Sequence, residues 1–484
     1  LNIHPADGIR AFEDPYPEMA RAMGIDPATK KTVEFDLTDK KFLLAYFDVL
    51  HRPFEKDGVD FWWIDWQQGR KSKIKGLDPL WLLNHYHYLD SVKNGVGLIL
   101  SRYAELGSHR YPLGFSGDVI TAWKSLKFQP YFTVNASNVG YGWWSHDIGG
   151  HILGRNRDEL YLRWLQFGVF SPINRLHSSR GKFMGKEPWL HRRDVYETSV
   201  DFLRLRHKML PYIYSMGVEA NQEGAPLMRP LYYYADVKDA YKVKNAYYFG
   251  SEMIVCPVTE PLKKHFNKSG ADVYLPEGSY IDYFTGQRYK GGMRIKMFRT
   301  LDSIPVLFKA GAIVPFLKNG ETNSTGYDEI ELNVYPTADG SFKMFDEDGS
   351  VKEFKMSAGE GGALIEISGG GNVKKLSFNF LGVKSAEVYV DGKLSSDGLN
   401  TVIDGGAHTV ELKNMALIEV KPFLKRAEDT LEGYHVSPVR RMIKFYMIRR
   451  AFEKGGERKA LKKIKAMSLR KDVKGALIDA LYGE

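Results

Sequence analysis

Apolar and polar residues alternate along this chain in two different rhythms. From about residue 38 to about residue 223, short apolar runs end in polar residues and are followed by stretches whose apolar positions recur every three or four residues. The first pattern is typical of a buried parallel strand, and the second is typical of an amphipathic helix packed against it. Repeated strand, polar tip and helix predict the βα units of a parallel α/β barrel.

The most distinctive strand candidate is the run Val59-Asp-Phe-Trp-Trp-Ile64, which Asp65 follows directly. Its nearly continuous apolar character is typical of a strand covered on both faces. Other predicted elements are helices at 38–50, 79–92, 120–126, 158–168 and 194–223, and strands at 1–5, 97–101 and 141–145. About six strands can be counted in this region, whereas a closed barrel needs eight. The sequence therefore predicts a (β/α)8 TIM-type barrel that is incomplete at its N-terminal side.

The pattern changes near Pro230. From there to about residue 424, short strands are separated by turns rich in Gly, Pro and Asp, which is typical of antiparallel β-sandwiches. Gly361-Gly362 and Gly369-Gly-Gly371 lack the strand-to-helix context and the lysine of a phosphate loop, so we predict hairpin turns there. The predicted domains are a partial barrel at 1–232, a proximal β-sandwich at 233–318, a distal β-sandwich at 319–424 and a basic helical tail at 425–484.

The tail contains a helix start signal, Ser437-Pro438. Apolar residues at helical spacing follow this signal and predict one apolar face that packs on the protein itself. These residues are Met442, Ile443, Phe445, Tyr446, Ile448 and Phe452.

The net charge of +9 lies wholly in the C-terminal part. Residues 421–484 contain 17 Lys and Arg against 8 Asp and Glu, and the rest of the chain has equal numbers of both. A basic tail can attract nucleic acid or anionic lipid. This tail has neither zinc-ligand spacing nor the aromatic pattern of a nucleic-acid module, and no apolar run approaches the roughly 18 residues needed to span a bilayer. We therefore predict neither a nucleic-acid partner nor a membrane partner.

Composition narrows the class of protein further. Hydrophobic residues make up 43% of the 484 residues, so the chain can bury large cores, and its length suggests about three domains. The single cysteine, Cys256, lies in an apolar run, which predicts a buried thiol and excludes a disulfide within the chain. A lone buried thiol fits a reducing compartment, so the cytoplasm is favoured while the localisation stays open. The sequence also leaves a homo-oligomer open.

Polar residues at the predicted strand ends form a chemical set typical of a sugar site. The set comprises Asp65, Arg102, Asp118, Asp147 and His177, with Trp63, Trp66, Phe115 and Trp144 around them. A barrel gathers such strand ends at one catalytic rim. The alternative for Asp65 is a cap for the next helix, but that helix has its own start signal at Asp78-Pro79. His85 and His87 would point to different faces of a helix, so we predict no metal site, and nothing in the set calls for a cofactor.

Five motifs occur in the order and at about the spacing seen in glycoside hydrolase family 31, the α-glucosidase and α-xylosidase family. The motifs are Trp63-Ile-Asp65, Ser101-Arg102, Phe115-Ser-Gly-Asp118, His146-Asp-Ile-Gly-Gly150 and Asn174-Arg-Leu-His177. The chain resembles this family over about residues 1–420. The resemblance implies that Asp65 is the nucleophile and Asp118 the general acid/base. It also implies that Arg102, Asp147 and His177 hold the hydroxyls of the terminal sugar.

Two departures from the family pattern affect what the resemblance implies. The family's usual Met-Asn-Glu after the nucleophile is Trp66-Gln67-Gln68 here, which leaves the identity of the sugar open. Full-length members begin with a β-sandwich and two further barrel strands, and we expect this chain to lack them. The expected function is that of a retaining, exo-acting α-glycoside hydrolase that acts on an oligosaccharide or small α-glycoside. The favoured activity is that of an α-glucosidase. The alternatives are an α-xylosidase, an α-galactosidase, a transglycosylase, or a carbohydrate-binding remnant without activity.

Overall fold

The structure is a computed structural model that describes residues 3, 5–65, 69, 71–93, 95, 97–102, 106–111, 113–155, 157–318 and 327–483. The chain divides into two compact units. Unit 1 consists of Leu1–Asp118 and Val139–Asp147, and unit 2 consists of Val119–Asn138 and Ile148–Glu484.

Helices dominate the first part of the chain and its tail, and strands dominate the region between them. The helices are α1 (Tyr16–Ala22), α2 (Lys40–Leu50), α3 (Arg52–Lys56), α4 (Pro79–Lys93), α5 (Trp123–Ser137), α6 (Asp158–Val169), α7 (Arg193–Lys208), α8 (Leu210–Glu223), α9 (Lys238–Lys242), α10 (Phe423–Glu432), α11 (Pro438–Glu453), α12 (Gly456–Ala466) and α13 (Lys471–Tyr482).

The strands before Pro257 are β1 (Trp62–Ile64), β2 (Ile99–Arg102), β3 (Leu113–Phe115), β4 (Ile120–Thr121), β5 (Trp144–Ser145), β6 (Ile152–Gly154), β7 (Met228–Pro230), β8 (Tyr247–Phe249) and β9 (Met253–Val255). The later strands are β10 (Ser269–Leu275), β11 (Ser279–Asp282), β12 (Arg288–Lys290), β13 (Met293–Arg299), β14 (Val306–Lys309), β15 (Ile313–Leu317), β16 (Glu329–Val334), β17 (Gly340–Phe345), β18 (Val351–Gly359), β19 (Gly362–Gly369), β20 (Lys375–Phe380), β21 (Val383–Val390), β22 (Lys393–Leu394), β23 (Val402–Asp404) and β24 (His408–Leu417).

Unit 1 is built on a parallel sheet with the strand order β1-β2-β3-β5. Helix α4 forms the crossover between β1 and β2, as parallel neighbours require. The side chain of Asp78 starts this helix by accepting a hydrogen bond from the Leu80 N–H at 2.7 Å. The parallel βα arrangement that the sequence predicts is therefore present.

The core of unit 1 lies between this sheet and helices α1, α2 and α4. Its members Phe42, Tyr46, Ile64, Leu83 and Ile99 are each at most 1% exposed. These are the apolar positions that recur at helical spacing on α2 and α4, together with inward positions of β1 and β2. Burying such side chains is the main stabilisation of each element, since strands of this length are not stable alone.

Unit 2 contains the antiparallel sheets that the second half of the sequence predicts. The sheets have the strand orders β12-β11-β14-β9-β8-β7, β10-β13, β15-β16-β20-β23 and β17-β18-β19-β24-β21-β22. Their strands pair antiparallel except β16 with β20, which are parallel, and β4 pairs with β6 in a small parallel sheet. In β19 the residues Ala363, Ile365 and Ile367 are buried at alternating positions, as expected for a strand with one covered face. Gly361 lies in the β18–β19 turn with φ +79°, so the predicted hairpin is confirmed there. The hairpin predicted at Gly369–Gly371 is wrong, because these residues lead from β19 to β20, which lies in a different sheet. Cys256 is buried, as predicted, and burial raises the pKa of its thiol.

The structure corrects several sequence predictions. Residues 120–126 are not one helix: β4 comes first, and α5 begins at Trp123 and continues through Pro130 to Ser137. The buried face of α5, with Leu126 and Val134, outweighs the hydrogen bond that proline removes. The helix predicted at 194–223 is two helices, because Pro211 in the first turn of α8 cannot continue α7.

Two further predictions have a different outcome. The described residues form a four-stranded parallel sheet in unit 1, so they do not close a barrel. The strand predicted at 1–5 lies largely outside the described residues. Within the part of the chain that the structure describes, no helix is both long and apolar enough to cross a bilayer.

The tail helices pack around a small core of their own. Ile448, Ala460, Ile464, Val473 and Leu477 are fully buried in it. Helix α11 begins after Ser437, whose side chain accepts a hydrogen bond from the Arg440 N–H, so the predicted start is confirmed. The predicted single apolar face is wrong: Phe445, Ile448 and Phe452 pack inward, but Met442, Ile443 and Tyr446 are exposed.

Candidate functional site

The parallel sheet of unit 1 brings the carboxyl ends of its strands to one edge. Ile64 of β1 lies opposite Ser101 of β2, and Phe115 of β3 lies opposite both Arg102 of β2 and Ser145 of β5. The polar residues that follow these positions therefore emerge at the same edge. In open and closed parallel sheets alike, this edge is where binding sites form.

Arg102 joins two of the candidate carboxylates. Its Nε donates a hydrogen bond to Oδ1 of Asp65, and its Nη2 donates to Oδ1 of Asp118 at 3.0 Å. The side chains of Asp65 and Arg102 are 13% and 14% exposed, and that of Asp118 is 38% exposed. One guanidinium thus holds two carboxylates that come from different strands, and charge-assisted bonds of this kind are stronger than neutral ones.

The electrostatic balance at Arg102 favours its charged form. Burial by itself would lower the pKa of the guanidinium, but the hydrogen bond to Asp65 and the charges of Asp65 and Asp118 raise it above its ordinary value. Arg102 is therefore a permanent cation near neutral pH. A fixed positive charge lets two carboxylates approach each other, because it offsets their mutual repulsion.

Aromatic rings support this cluster from the strand side. The Arg102 Cζ atom lies 5.5 Å from the centre of the Phe115 ring, and Trp63 meets the same ring edge-on at 5.9 Å. Phe115 and Trp144 are 1% and 2% exposed, whereas Trp63 is partly exposed. Contact with an aromatic face adds to the stabilisation of a guanidinium, so Phe115 helps to fix the position of Arg102.

Sequence reasoning missed one residue of this site. Gly117 has φ +72°, and a Cβ atom built there would collide with the Arg102 guanidinium. Only glycine combines this backbone conformation with such a close approach. The sequence does place a glycine directly before Asp118, which could have pointed to Gly117. It does not show that the Arg102 side chain lies against this glycine.

The remaining predicted residues have different placements. Asp147 follows β5 in unit 1 and is fully buried. His177 belongs to unit 2, where its ring stacks on His151 at 4.7 Å. Trp66 lies outside the described residues. Unit 1 thus brings Asp65, Arg102 and Asp118 into direct contact, with Phe115 and Trp63 beside them.

Comparison with known proteins identifies the family. The model of the glycosyl hydrolases family 31 TIM-barrel domain matches residues 13–216, and the model of the glycosyl hydrolase family 31 C-terminal domain matches residues 224–314. An α-xylosidase of Saccharolobus solfataricus is 32% identical over 330 residues, which are 62% of this chain and 44% of that protein. The neutral α-glucosidase C of Mus musculus is 33% identical over 249 residues, which are 50% of this chain and 27% of that protein. The chain thus spans less than half the length of these curated relatives.

Solved structures agree with these matches. A GH31 dextranase of Flavobacterium johnsoniae, complexed with glucose, matches with a TM-score of 0.68 and 23% identity over 80% of this chain and 56% of that one. At that identity the likeness shows the fold alone. A GH31 α-xylosidase from a soil metagenome, complexed with xylose, matches with a TM-score of 0.51 and 27% identity over 58% of this chain and 47% of that one. With its two domain models, its relatives and its fold in agreement, the chain belongs to glycosyl hydrolase family 31.

Proposed function

We propose that the protein is a retaining, exo-acting α-glycoside hydrolase, with α-glucosidase as the first candidate activity. One observation carries this proposal: Asp65 and Asp118 are held by the same guanidinium at the carboxyl edge of a parallel sheet. Retaining glycosidases need two carboxyl groups that lie roughly 5–5.5 Å apart on either side of the bond to be cleaved. A shared cation is a simple way to keep two such groups together.

In the proposed reaction Asp65 is the nucleophile. An oxygen of its carboxylate attacks the anomeric carbon, the bond to the leaving-group oxygen breaks, and Asp118 gives that oxygen a proton. Asp118 then takes a proton from a water molecule, whose oxygen attacks the same carbon and releases Asp65. The two inversions together retain the configuration at that carbon.

The other predicted residues bind the sugar in this proposal. Arg102, Asp147 and His177 hold the hydroxyls of the non-reducing-end residue, and the aromatic rings of Trp63, Trp66, Phe115 and Trp144 shape its surroundings. Arg102 also positions the carboxylates of Asp65 and Asp118 through its ion pairs with them. The reaction uses acid, base and nucleophile only, so the proposal includes neither a metal nor a cofactor.

The second candidate is an α-xylosidase. It is favoured by the 32% identity with the Saccharolobus solfataricus protein, which carries that name. An α-galactosidase, a transglycosylase and a binding protein without activity remain the further alternatives from the sequence. The substitution of the family's Met-Asn-Glu by Trp66-Gln67-Gln68 falls next to the proposed nucleophile, where the choice among sugars is made.

The domain division is part of the same proposal. A barrel domain at 1–232 would carry the site, the sandwiches at 233–318 and 319–424 would support it, and residues 425–484 would form the tail. Limited proteolysis should then cut first near residues 232, 318 and 424, where mass spectrometry of the fragments would locate the boundaries.

The test is release of nitrophenol from aryl α-glucoside, α-xyloside and α-galactoside by the purified chain. We expect the fastest release from the α-glucoside, and proton NMR of the first product should show the α-anomer. Faster release from the xyloside would replace the first proposal by the second, and new disaccharides formed with added glucose would indicate transfer. A protein that melts cooperatively and binds saccharide in calorimetry, but releases nothing, would be the binding remnant.

A further inference from the structure

Helix α11 carries an exposed apolar stripe on its outer side. The side chains of Val439, Met442, Ile443 and Tyr446 are 61%, 68%, 53% and 61% exposed. Val439 and Tyr446 are seven residues apart, and Met442 and Ile443 lie three or four residues from each of them, so all four lie on one side of the helix over two turns. Single exposed apolar residues are ordinary, but four large ones on one helical stripe form a contiguous patch.

This stripe is not the one that holds the helix in place. The opposite side of α11 packs against the tail core through Ile448, which is fully buried, and through Phe445 and Phe452. The helix therefore has two apolar sides, of which the fold uses one. An amphipathic helix that only needs to pack on its own protein has a polar outer side.

Basic side chains border the exposed stripe. Arg440, Arg449 and Arg450 are exposed on α11, and Arg449 pairs with Glu453 at 2.7 Å. Helix α12 adds the exposed side chains of Arg458, Lys459, Lys462 and Lys465. The arginines of α11 make the border of the stripe positive, and residues 421–484 carry the whole net charge of +9, so the complementary surface must be negative.

We propose that the outer side of α11 binds an anionic phospholipid surface. A helix with apolar residues on one side and Lys or Arg beside them lies in the plane of a membrane, with its apolar side at the boundary between headgroups and acyl chains. The basic residues contribute by attraction to anionic headgroups. The tail would thus attach the protein to a membrane surface, although the sequence predicts no membrane partner.

The arginines beside the stripe also argue against the alternative that the stripe binds a second copy of this chain. Pairing two α11 helices through the stripe would bring the arginines of both copies together around it. Like charges at such a contact are repulsive. An extended anionic surface, in contrast, can engage the arginines of α11 without a matching set of acidic side chains.

The experiment is co-sedimentation of the full chain with vesicles of phosphatidylcholine, either pure or containing about a third phosphatidylserine. We expect binding to the phosphatidylserine vesicles that weakens at high salt, and little binding to the pure ones. The double variant Met442→Glu, Ile443→Glu should weaken binding by about a hundredfold or more, because it removes apolar contact and adds negative charge. Arg450→Gln should weaken it about fivefold.

The matched control is Leu394→Glu, which changes an equally exposed apolar residue, 62% exposed, on β22. It should bind like the unchanged protein, and all variants should melt at the same temperature and release nitrophenol equally. The proposal is overturned if the unchanged chain does not bind phosphatidylserine vesicles, or if the double variant binds as well as Leu394→Glu. It is also overturned if sedimentation shows a dimer that the double variant abolishes, since the stripe would then be a contact between copies.

Discussion

Among the described residues, two clusters each join one arginine to two aspartates, and we interpret them in opposite ways. Arg102 meets Asp65 and Asp118 at the strand ends of unit 1. Arg299 of β13, in unit 2, meets Asp282 at 2.6 Å, with Asp479 at 3.6 Å. The chemical composition of the clusters is identical, so the difference between them lies in burial and in their other hydrogen bonds.

The Arg299 cluster is largely buried. The side chains of Arg299, Asp282 and Asp479 are 7%, 0% and 9% exposed. Asp479 also accepts hydrogen bonds from the Tyr289 hydroxyl at 3.0 Å and from the Phe298 N–H at 2.8 Å. Burial raises the pKa of the Asp479 carboxyl even though Arg299 lies beside it. Through these contacts the cluster ties Asp479 of α13 to Arg299 of β13 and Tyr289 of β12.

The Arg102 cluster is more accessible, with Asp118 38% exposed. It lies at the ends of strands β1, β2 and β3. The two clusters share the Asp–Arg–Asp composition, so the accessible carboxylate of Asp118 is what makes the Arg102 cluster the candidate site in the proposed function. Five substitutions or conditions test this distinction.

The largest effect is expected from Asp65→Asn. It removes the proposed nucleophile, so kcat for the aryl α-glucoside should fall by about 10⁴-fold or more, while the melting temperature should change little because the site is not part of the core. Steady-state kinetics and calorimetry of the same sample measure both quantities. Turnover that survives in this variant would rule out the assignment of Asp65.

Asp282→Ala should show the reverse pattern. It leaves the buried Arg299 without its main partner, which is expected to lower the free energy of unfolding by about 3–5 kcal/mol. Denaturant unfolding measures this loss, and kcat per folded molecule should stay near that of the unchanged protein. If Asp282→Ala were as stable as Asp65→Asn, burial would not be what separates the two clusters.

Asp118→Ala should reveal the general acid through its dependence on the leaving group. Substrates with poor leaving groups should react about 10²–10³-fold more slowly, because their oxygen departs only with a proton. An activated aryl group leaves without one, so the first step on nitrophenyl glycosides should be affected far less. Equal losses on both substrate types in pre-steady-state kinetics would count against this role.

Gly117→Ala tests the contact that the sequence did not reveal, and Gly361→Ala is its matched control. Both glycines have φ between +70° and +80°, but a Cβ atom collides with Arg102 only at Gly117 and meets nothing within 4 Å at Gly361. Both variants should lose about 1–2 kcal/mol of stability from the backbone conformation. Only Gly117→Ala should also lose activity, by about ten- to a hundredfold, since it displaces the guanidinium. Equal activity in the two variants would exclude Arg102 as a positioning residue.

The smallest effect on stability is expected from a third cluster, in which a histidine takes the place of the arginine and can lose its charge as pH rises. His408 is the first residue of β24 and lies between two aspartates. Its Nδ1 is 2.8 Å from Oδ2 of Asp391, and its Nε2 is 3.0 Å from Oδ1 of Asp404. The hydrogen bond to Asp391, and then that to Asp404, raises the pKa of His408 above its ordinary value although partial burial opposes this. The stabilisation should therefore be complete below the ordinary pKa of histidine and disappear as pH rises through the raised one. His408→Gln should remove this dependence, which we expect as a change of no more than a few degrees in melting temperature between about pH 5 and 8.

Much of the fold follows from local patterns. The helix starts at Asp78 and Ser437 were predictable because capping residues act on the N–H groups next to them. The hairpin at Gly361 was predictable because its turn requires a positive φ. The break between α7 and α8 was missed, although Pro211 marks it, because the apolar spacing continues across it.

The sequence by itself determined which residues stand at the strand ends, in what order, and which family they resemble. Tertiary structure decided that Arg102 holds Asp65 and Asp118 together, since those three residues come from different strands and meet only when the sheet forms. It also decided which apolar side of α11 faces inward. The spacing of apolar residues shows which sides of a helix are apolar. Whether such a side is covered depends on the helices that pack next to it.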